Sequence, residues 1–133
     1  MQGSNTYTYA YNGLGNRVSQ TLNAGTPVRY VLDQAAGLVQ VLSDGSYTYL
    51  YGNDRLAQQS ISETEYFLTD ALGSVRQLVD SEGEITLNRS YDPYGNVLAS
   101  SGSGVSTFAF TGEQMDSYSN LLFLRARYYS IPP

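Results

Sequence analysis

The sequence has no cysteine, histidine, lysine or tryptophan anywhere in its 133 residues. Without cysteine there is no disulfide, no thiolate nucleophile and no Cys-ligated zinc. Without histidine the commonest general base and the commonest metal ligand are missing as well, so no cofactor or metal is expected. Positive charge is sparse: seven arginines, at 17, 29, 55, 76, 89, 125 and 127, face twelve carboxylates, for a net charge of −5. Phosphate contacts need clustered Lys or Arg, so this spread argues against a nucleic-acid partner. No apolar run approaches the ~20 residues of a membrane-spanning helix, and membrane insertion is not expected. The first residues, MQGSNTYTYAY, have neither the basic region nor the apolar core of a signal peptide.

What is abundant is tyrosine and glycine, thirteen of each. A Tyr- and Gly-rich chain with few charges and many short runs reads as all-β. Its length suits one domain that buries roughly two-thirds of its unfolded surface. Residues 66–98 set the pattern. Strand-like runs at 66–69, 75–79 and 85–91 each lead into a turn that begins with Asp and ends with Gly: Asp70-Ala71-Leu72-Gly73, Asp80-Ser81-Glu82-Gly83 and Asp92-Pro93-Tyr94-Gly95. The Asp carboxylate can accept a backbone N–H two residues on, Gly takes positive φ without steric cost, and Pro93 has the fixed φ of a second turn position.

The same unit runs through the earlier chain. Tyr7, Tyr9 and Tyr11 share one face of a strand, Asn12-Gly13-Leu14-Gly15 turns it, and residues 17–22 return. A strand at 26–32, a turn at 33–37 and a return at 38–42 follow, and then the Asp44-Gly45 hairpin signal. Tyr47, Tyr49 and Tyr51 form a second one-face triplet before a turn at 52–54 and a strand at 55–61. Residues 99–104, Ala-Ser-Ser-Gly-Ser-Gly, read as a mobile loop, 105–110 as a strand, 115–117 as one helical turn, and 121–129 as a final strand. Gly15, Gly37, Gly52, Gly73, Gly95 and Gly112 recur at about twenty-residue intervals, a spacing that signals a repeat architecture.

Tyr91-Asp92-Pro93-Tyr94-Gly95-Asn96-Val97-Leu98 resembles the repeat of the YD-repeat (Rhs-repeat) family. Thr69-Asp70-Ala71-Leu72-Gly73-Ser74-Val75-Arg76 resembles the "TDxLGSxR" segment of the Rhs repeat-associated core. Phe110-Thr111-Gly112-Glu113-Gln114-Met115-Asp116, with Leu124-Arg125-Ala126-Arg127-Tyr128-Tyr129, resembles its "FTGxxxD…YLRARYY" signature. The resemblance is strong from Tyr66 to Tyr129 and weaker from Tyr7 to Ile61. It divides the chain into divergent YD-type repeats at 1–65 and a core-like segment at 66–133 within one continuous β domain.

The resemblance implies much about function. Members include bacterial Rhs polymorphic toxins, C components of insecticidal toxin complexes and animal teneurins, whose hairpins wind into a shell around a C-terminal polypeptide. It therefore implies a bacterial, secreted or cell-surface setting, and as partners the rest of an Rhs-type polypeptide and its enclosed toxin. Many bacterial relatives cut themselves beyond "RARYYDP". Here Tyr129 is followed by Ser130-Ile131-Pro132-Pro133, without the Asp-Pro or the cleavage motif. The protease role is accordingly not placed on Asp92, and a terminal fragment, degenerate copy or excised piece is expected.

Each candidate site has a plainer reading beside it. The two Tyr triplets could stack sugars or simply pack across strands, and packing is favoured. Glu63/Glu65 and Glu82/Glu84 are paired carboxylates with no cleft implied, and solvated charge is the expectation. Residues 80–84 fall short of a calcium loop, and Ser103 has no base to activate it. Arg125 and Arg127 on one face of a last strand could grip an acidic partner, although a structural pair is favoured. The sum is an all-β fold of consecutive antiparallel hairpins in a curved or spiralling sheet with little helix. Its favoured role is a non-enzymatic structural module; a carbohydrate- or protein-binding module is the alternative and an autoproteolytic fragment the third reading. Open strand edges suggest self-association.

Overall fold

The computed structural model describes residues 4–35 and 37–133. The first three residues of the amino-terminal stretch, and residue 36 of the expected 33–37 turn, lie outside the described residues. The fold is nearly all-β. Its strands are β1 (Tyr7–Tyr11), β2 (Arg17–Leu22), β3 (Val28–Arg29), β4 (Val31–Asp33), β5 (Gln40–Ser43), β6 (Thr48–Tyr51) and β7 (Arg55–Gln59). They continue as β8 (Thr64–Thr69), β9 (Val75–Val79), β10 (Ile85–Tyr91), β11 (Val97–Gly102), β12 (Gln114–Asp116), β13 (Leu121–Phe123) and β14 (Tyr128–Ser130). A 3-10 turn at Phe110–Gly112 is the one helical element among the described residues.

Every strand pairs antiparallel with a strand adjacent to it in sequence, and the ladder breaks only between β3 and β4 and between β11 and β12 among the described residues. One sheet is β1-β2-β3, a second runs through eight strands from β4 to β11, and a third is β12-β13-β14. β3 pairs with β2, and β4, only one residue further on, pairs with β5; this single stretch of chain serves both sheets and links them. The expected division at 65/66 falls inside β8, which pairs with β7 on one side and β9 on the other.

One turn recurs among the hairpins. In four of them an Asn or Asp at the first position, Asn12, Asp70, Asp80 or Asp92, accepts two backbone N–H bonds on its Oδ1, from the residues two and four further on, at 2.8–3.0 Å. The glycine at the fourth position donates to the carbonyl of the first. Gly15, Gly73, Gly83 and Gly95 all lie at positive φ, between +81° and +100°. This is a type I turn closed by a left-handed glycine bulge, and the register shifts beside these turns are its counterpart in the ladder.

Alternation then sorts the large sheet into two faces. Tyr49, Gln58 and Glu65 lie opposite one another across β6, β7 and β8, and Phe67, Leu78 and Leu87 across β8, β9 and β10; all six are buried. The next row lies on the other face, where Leu50 and Tyr66 are half-exposed and Ala57 is buried between them. A sheet alone cannot dry its inner face. Here residues 105–113 cross it and insert Phe108 into a core of Tyr49, Phe67, Val75, Leu78 and Leu87.

Several segments differ from what the sequence led us to expect. Residues 99–102 of the expected 99–104 loop continue the strand begun at Val97 as part of β11, because ladder bonding to β10 is indifferent to small polar side chains. Residues 105–110 are no regular strand and share only a bridge, Phe108 with Gln114. Residues 114–116 are β12 rather than the expected helical turn, since pairing with β13 overrides local propensity. Residues 121–129 are a hairpin, β13 and β14, whose turn puts Arg125 at φ +59°; Arg125 and Arg127 therefore do not share a strand face.

Two outcomes follow from the turns. Gly83→Ala meets no atom but must hold φ near +89°, so it should cost about 1–2 kcal/mol in a denaturant titration. Asp92 has its carboxyl held below the ordinary value, first by the Asn96 side-chain amide and then by backbone N–H groups. A depressed folded pKa gives stability above the unfolded value, about pH 4, that is lost as pH falls through the folded one. Asp92→Asn keeps the acceptor, as Asn12 does, and should flatten the acid limb of a stability–pH curve.

Candidate functional site

The motifs scattered along the sequence meet at one junction. Thr111 N–H donates to the Ser74 hydroxyl at 2.8 Å, and Val75 N–H to the Ala109 carbonyl at 3.0 Å. Gly112 lies so close to Gly73 that an added Cβ would stand 2.9 Å from the Gly73 carbonyl oxygen. The Phe110 ring sits beside the φ +100° glycine of Asp92-Pro93-Tyr94-Gly95, where a Cβ would come within 2.8 Å of it, and lies 5.8 Å from the Tyr91 ring. Tyr91 donates its hydroxyl to the Val75 carbonyl, and Tyr129 to the Tyr94 carbonyl. Asp70 pairs with Arg76 at 3.6 Å, an exposed contact worth little by itself. Arg125 pairs with Glu113 at 2.7 Å, and Arg127 is exposed on the β13–β14 turn.

Two arginines absent from the candidate residues read from the sequence fasten this assembly. Arg55 lies with its guanidinium carbon 3.1 Å from the Phe108 ring centroid, and both terminal nitrogens donate to the Gly112 carbonyl, at 3.2 and 3.3 Å. Burial pushes its pKa below the ordinary arginine value, against the opposing pull of Tyr51. Arg17 is more deeply placed. It pairs with Asp116 at 3.3 Å, with the two side chains 2% and 0% exposed, and donates to Gln114 and to the Tyr128 hydroxyl. Its guanidinium carbon lies 3.9 Å from the Phe123 ring centroid. Asp116 in turn accepts the Tyr9 hydroxyl at 2.7 Å and the N–H groups of Tyr118 and Ser119. The result clasps the first hairpin to the third sheet. Burial beside this clasp raises the Tyr30 hydroxyl to about 12, Arg17 opposing, and raises Tyr9 and Tyr128 as well.

A cross-strand signal could have found both residues. Arg17 lies opposite Tyr11 and Arg55 opposite Tyr51, each at the base of a hairpin whose Tyr-rich strand precedes the turn. An arginine two or three residues past a turn glycine, facing a tyrosine strand, marks the positions.

The tyrosine triplets lie apart from one another and already have partners. Tyr7 stacks on Tyr118 at 6.1 Å, Tyr9 meets Tyr128 and Asp116, and the Tyr11 hydroxyl meets that of Tyr128. Tyr49 is in the core with Phe108 edge-on at 4.9 Å and its hydroxyl on Asp44; burial and that carboxylate raise its pKa. Tyr47 and Tyr51 pack against the same cluster. Among the described residues no group of His, Cys, Asp and Glu has metal-site geometry, and no helix is long and apolar enough to cross a membrane.

Successive antiparallel hairpins, with a C-terminal segment laid across the buried face of the large sheet, define a YD-type shell architecture. The Teneurin YD-shell family model matches residues 1–131, and the chain belongs to that family. It is 29% identical over 131 residues to the tRNA3(Ser)-specific nuclease WapA of Bacillus spizizenii and 28% identical to the tRNA nuclease WapA of Bacillus subtilis. Each alignment covers 92% of this chain and 6% of the relative, so the chain spans a small fraction of those proteins. Among solved structures it superposes on TcdB2-TccC3 without its hypervariable C-terminal region with a TM-score of 0.71, at 20% identity over 93% of this chain and 7% of that one. The TcdB2-TccC3-Cdc42 structure gives the same TM-score, 0.71, at 21% identity over 92% of this chain and 7% of that one.

The clasp makes a quantitative demand. Arg17→Met leaves the buried Asp116 without its cationic partner, and should cost about 3–5 kcal/mol in urea unfolding. Adding Asp116→Asn should restore part of that loss. Strictly additive losses in the double mutant would show that the pair is not coupled.

Proposed function

We propose that this segment is a non-enzymatic structural module of an Rhs-type protein, forming part of the β shell or plug that encloses a C-terminal toxin. The observation that carries this reading is the junction of Gly73-Ser74 with Thr111-Gly112. It lays the covering segment across the buried face of the hairpin sheet and uses the signature residues for packing and hydrogen bonding. The 1–65 part then supplies winding repeats, and the 66–133 part the end of the wall and its cover. Its partners are the remaining repeats of the polypeptide and the enclosed chain. Secretion or display at a bacterial surface accompanies the same reading. The WapA relatives are named as tRNA nucleases, and on this reading such an activity belongs to parts of those proteins outside the matched 6%.

The test uses the complete polypeptide encoded around this segment. Limited proteolysis of that protein should leave the region after residue 133 undigested, while the same region expressed alone is degraded. Equal digestion of the two overturns the reading, as does a reading frame with no further Tyr-Asp hairpins before residue 1.

A further inference from the structure

A cavity of about 720 Å³ opens beside the junction, within the size range of ligand and peptide pockets. Its lining includes Leu14, Leu38 and Leu72, which remain 76%, 66% and 68% exposed. Leu14 and Leu72 occupy the same third position in two copies of the shared turn, where nothing in the turn itself requires an apolar residue. Exposed leucines grouped around one opening form an apolar patch of the kind that marks interaction sites.

The wall is close to neutral in an acidic molecule. In a chain of net −5, three of the seven arginines, Arg17, Arg55 and Arg125, line this cavity against two carboxylates, Asp54 and Glu113. Arg17 is committed to Asp116 and Arg125 to Glu113. Arg55 has no carboxylate within 4.0 Å among the described residues. It spends one N–H of each terminal nitrogen on the Gly112 carbonyl. Nε donates to the Tyr51 hydroxyl at 3.4 Å, and one N–H is left over on each terminal nitrogen, the two pointing apart on either side of the Gly112 carbonyl. A partly desolvated guanidinium without a carboxylate partner can donate a remaining N–H to one carboxylate oxygen, and the leucines recognise aliphatic side chains.

We propose that this cavity docks an extended peptide segment carrying a carboxylate side chain between aliphatic ones, with the carboxylate on Arg55 and the aliphatic groups among Leu14, Leu38 and Leu72. The site is a property of the folded 133-residue chain and stands whether or not the parent polypeptide encloses a toxin.

The experiment titrates the 15N-labelled chain with acetyl-Leu-Asp-Leu-Leu-amide and, separately, with its Asn counterpart. Saturable shifts are expected at the Arg55 side-chain Nε–H and at the amides of Gly15, Gly73 and Gly112. The Asn peptide should bind about tenfold more weakly, since it lacks the charge-assisted bond. Arg55 also supports Phe108, so the variant of choice is Leu72→Ser in the exposed turn, which should keep the remaining spectrum and weaken both peptides. Equal affinity for the two peptides would make the cavity an apolar groove only. The same shifts at the same concentration of acetate would make it an anion site only. Either result, or the absence of saturable shifts at these residues, overturns the proposal.

Discussion

A sheet of consecutive hairpins has no core until something lies across its apolar face. Each hairpin buries little by itself, and stacking them joins the apolar rows without covering them. In this chain the cover is one crossing segment, residues 105–113, and its effective part is Phe108, set among Tyr49, Phe67, Val75, Leu78 and Leu87. The remaining contacts of the junction hold that ring in place. Arg55 closes over it and grips the Gly112 carbonyl, Ser74 fixes the Thr111 amide, and the bare glycines at 73 and 112 let the two backbones approach. The winding of the sheet and the identity of the signature residues are two sides of one requirement, to seat an aromatic plug.

The buried polar groups follow the same logic on the opposite side. Arg17 and Asp116 are removed from water almost completely, which is unfavourable unless every remaining donor and acceptor finds a partner. Tyr9, Gln114, Tyr128 and two backbone amides supply most of those partners, and Phe123 supplies a face for the cation. Much of the tyrosine content is thereby accounted for. The phenol combines an apolar body that packs in a sheet with a hydroxyl that can terminate a buried ion pair.

What was legible in the sequence was local. The Asp- and Asn-to-Gly turns could be read because the side chain that caps the turn and the glycine that closes it lie three residues apart. Alternation gave the two faces of the large sheet for a similar reason. The errors came where distant residues decide the conformation. Residues 99–104 have the composition of a linker, yet their backbone is held by β10 up to Gly102. The Leu-Arg-Ala-Arg stretch carries no glycine to announce a turn, and Arg125 accepts a left-handed conformation while its side chain holds Glu113 and the Val39 carbonyl. Arg17 stood out only as one of seven dispersed arginines because its partner lies ninety-nine residues away. The signature motifs were legible as a resemblance; that they touch one another was not.

The separation between Arg17 and Asp116 also sets a timetable. Neighbouring hairpins close loops of a few residues and can form as soon as the chain is available. The clasp must close a loop of about a hundred residues, which costs roughly 2–3 kcal/mol more in chain entropy than a hairpin does. Assembly therefore runs from the ladder inward to the clasp, and contacts of such long range are what slow the folding of β proteins. During synthesis the first hairpin, with Tyr9 and Arg17 ready, stands open until residue 116 has left the ribosome. For that interval its aromatic face is an unguarded edge, and the last strands of the chain act as its latch.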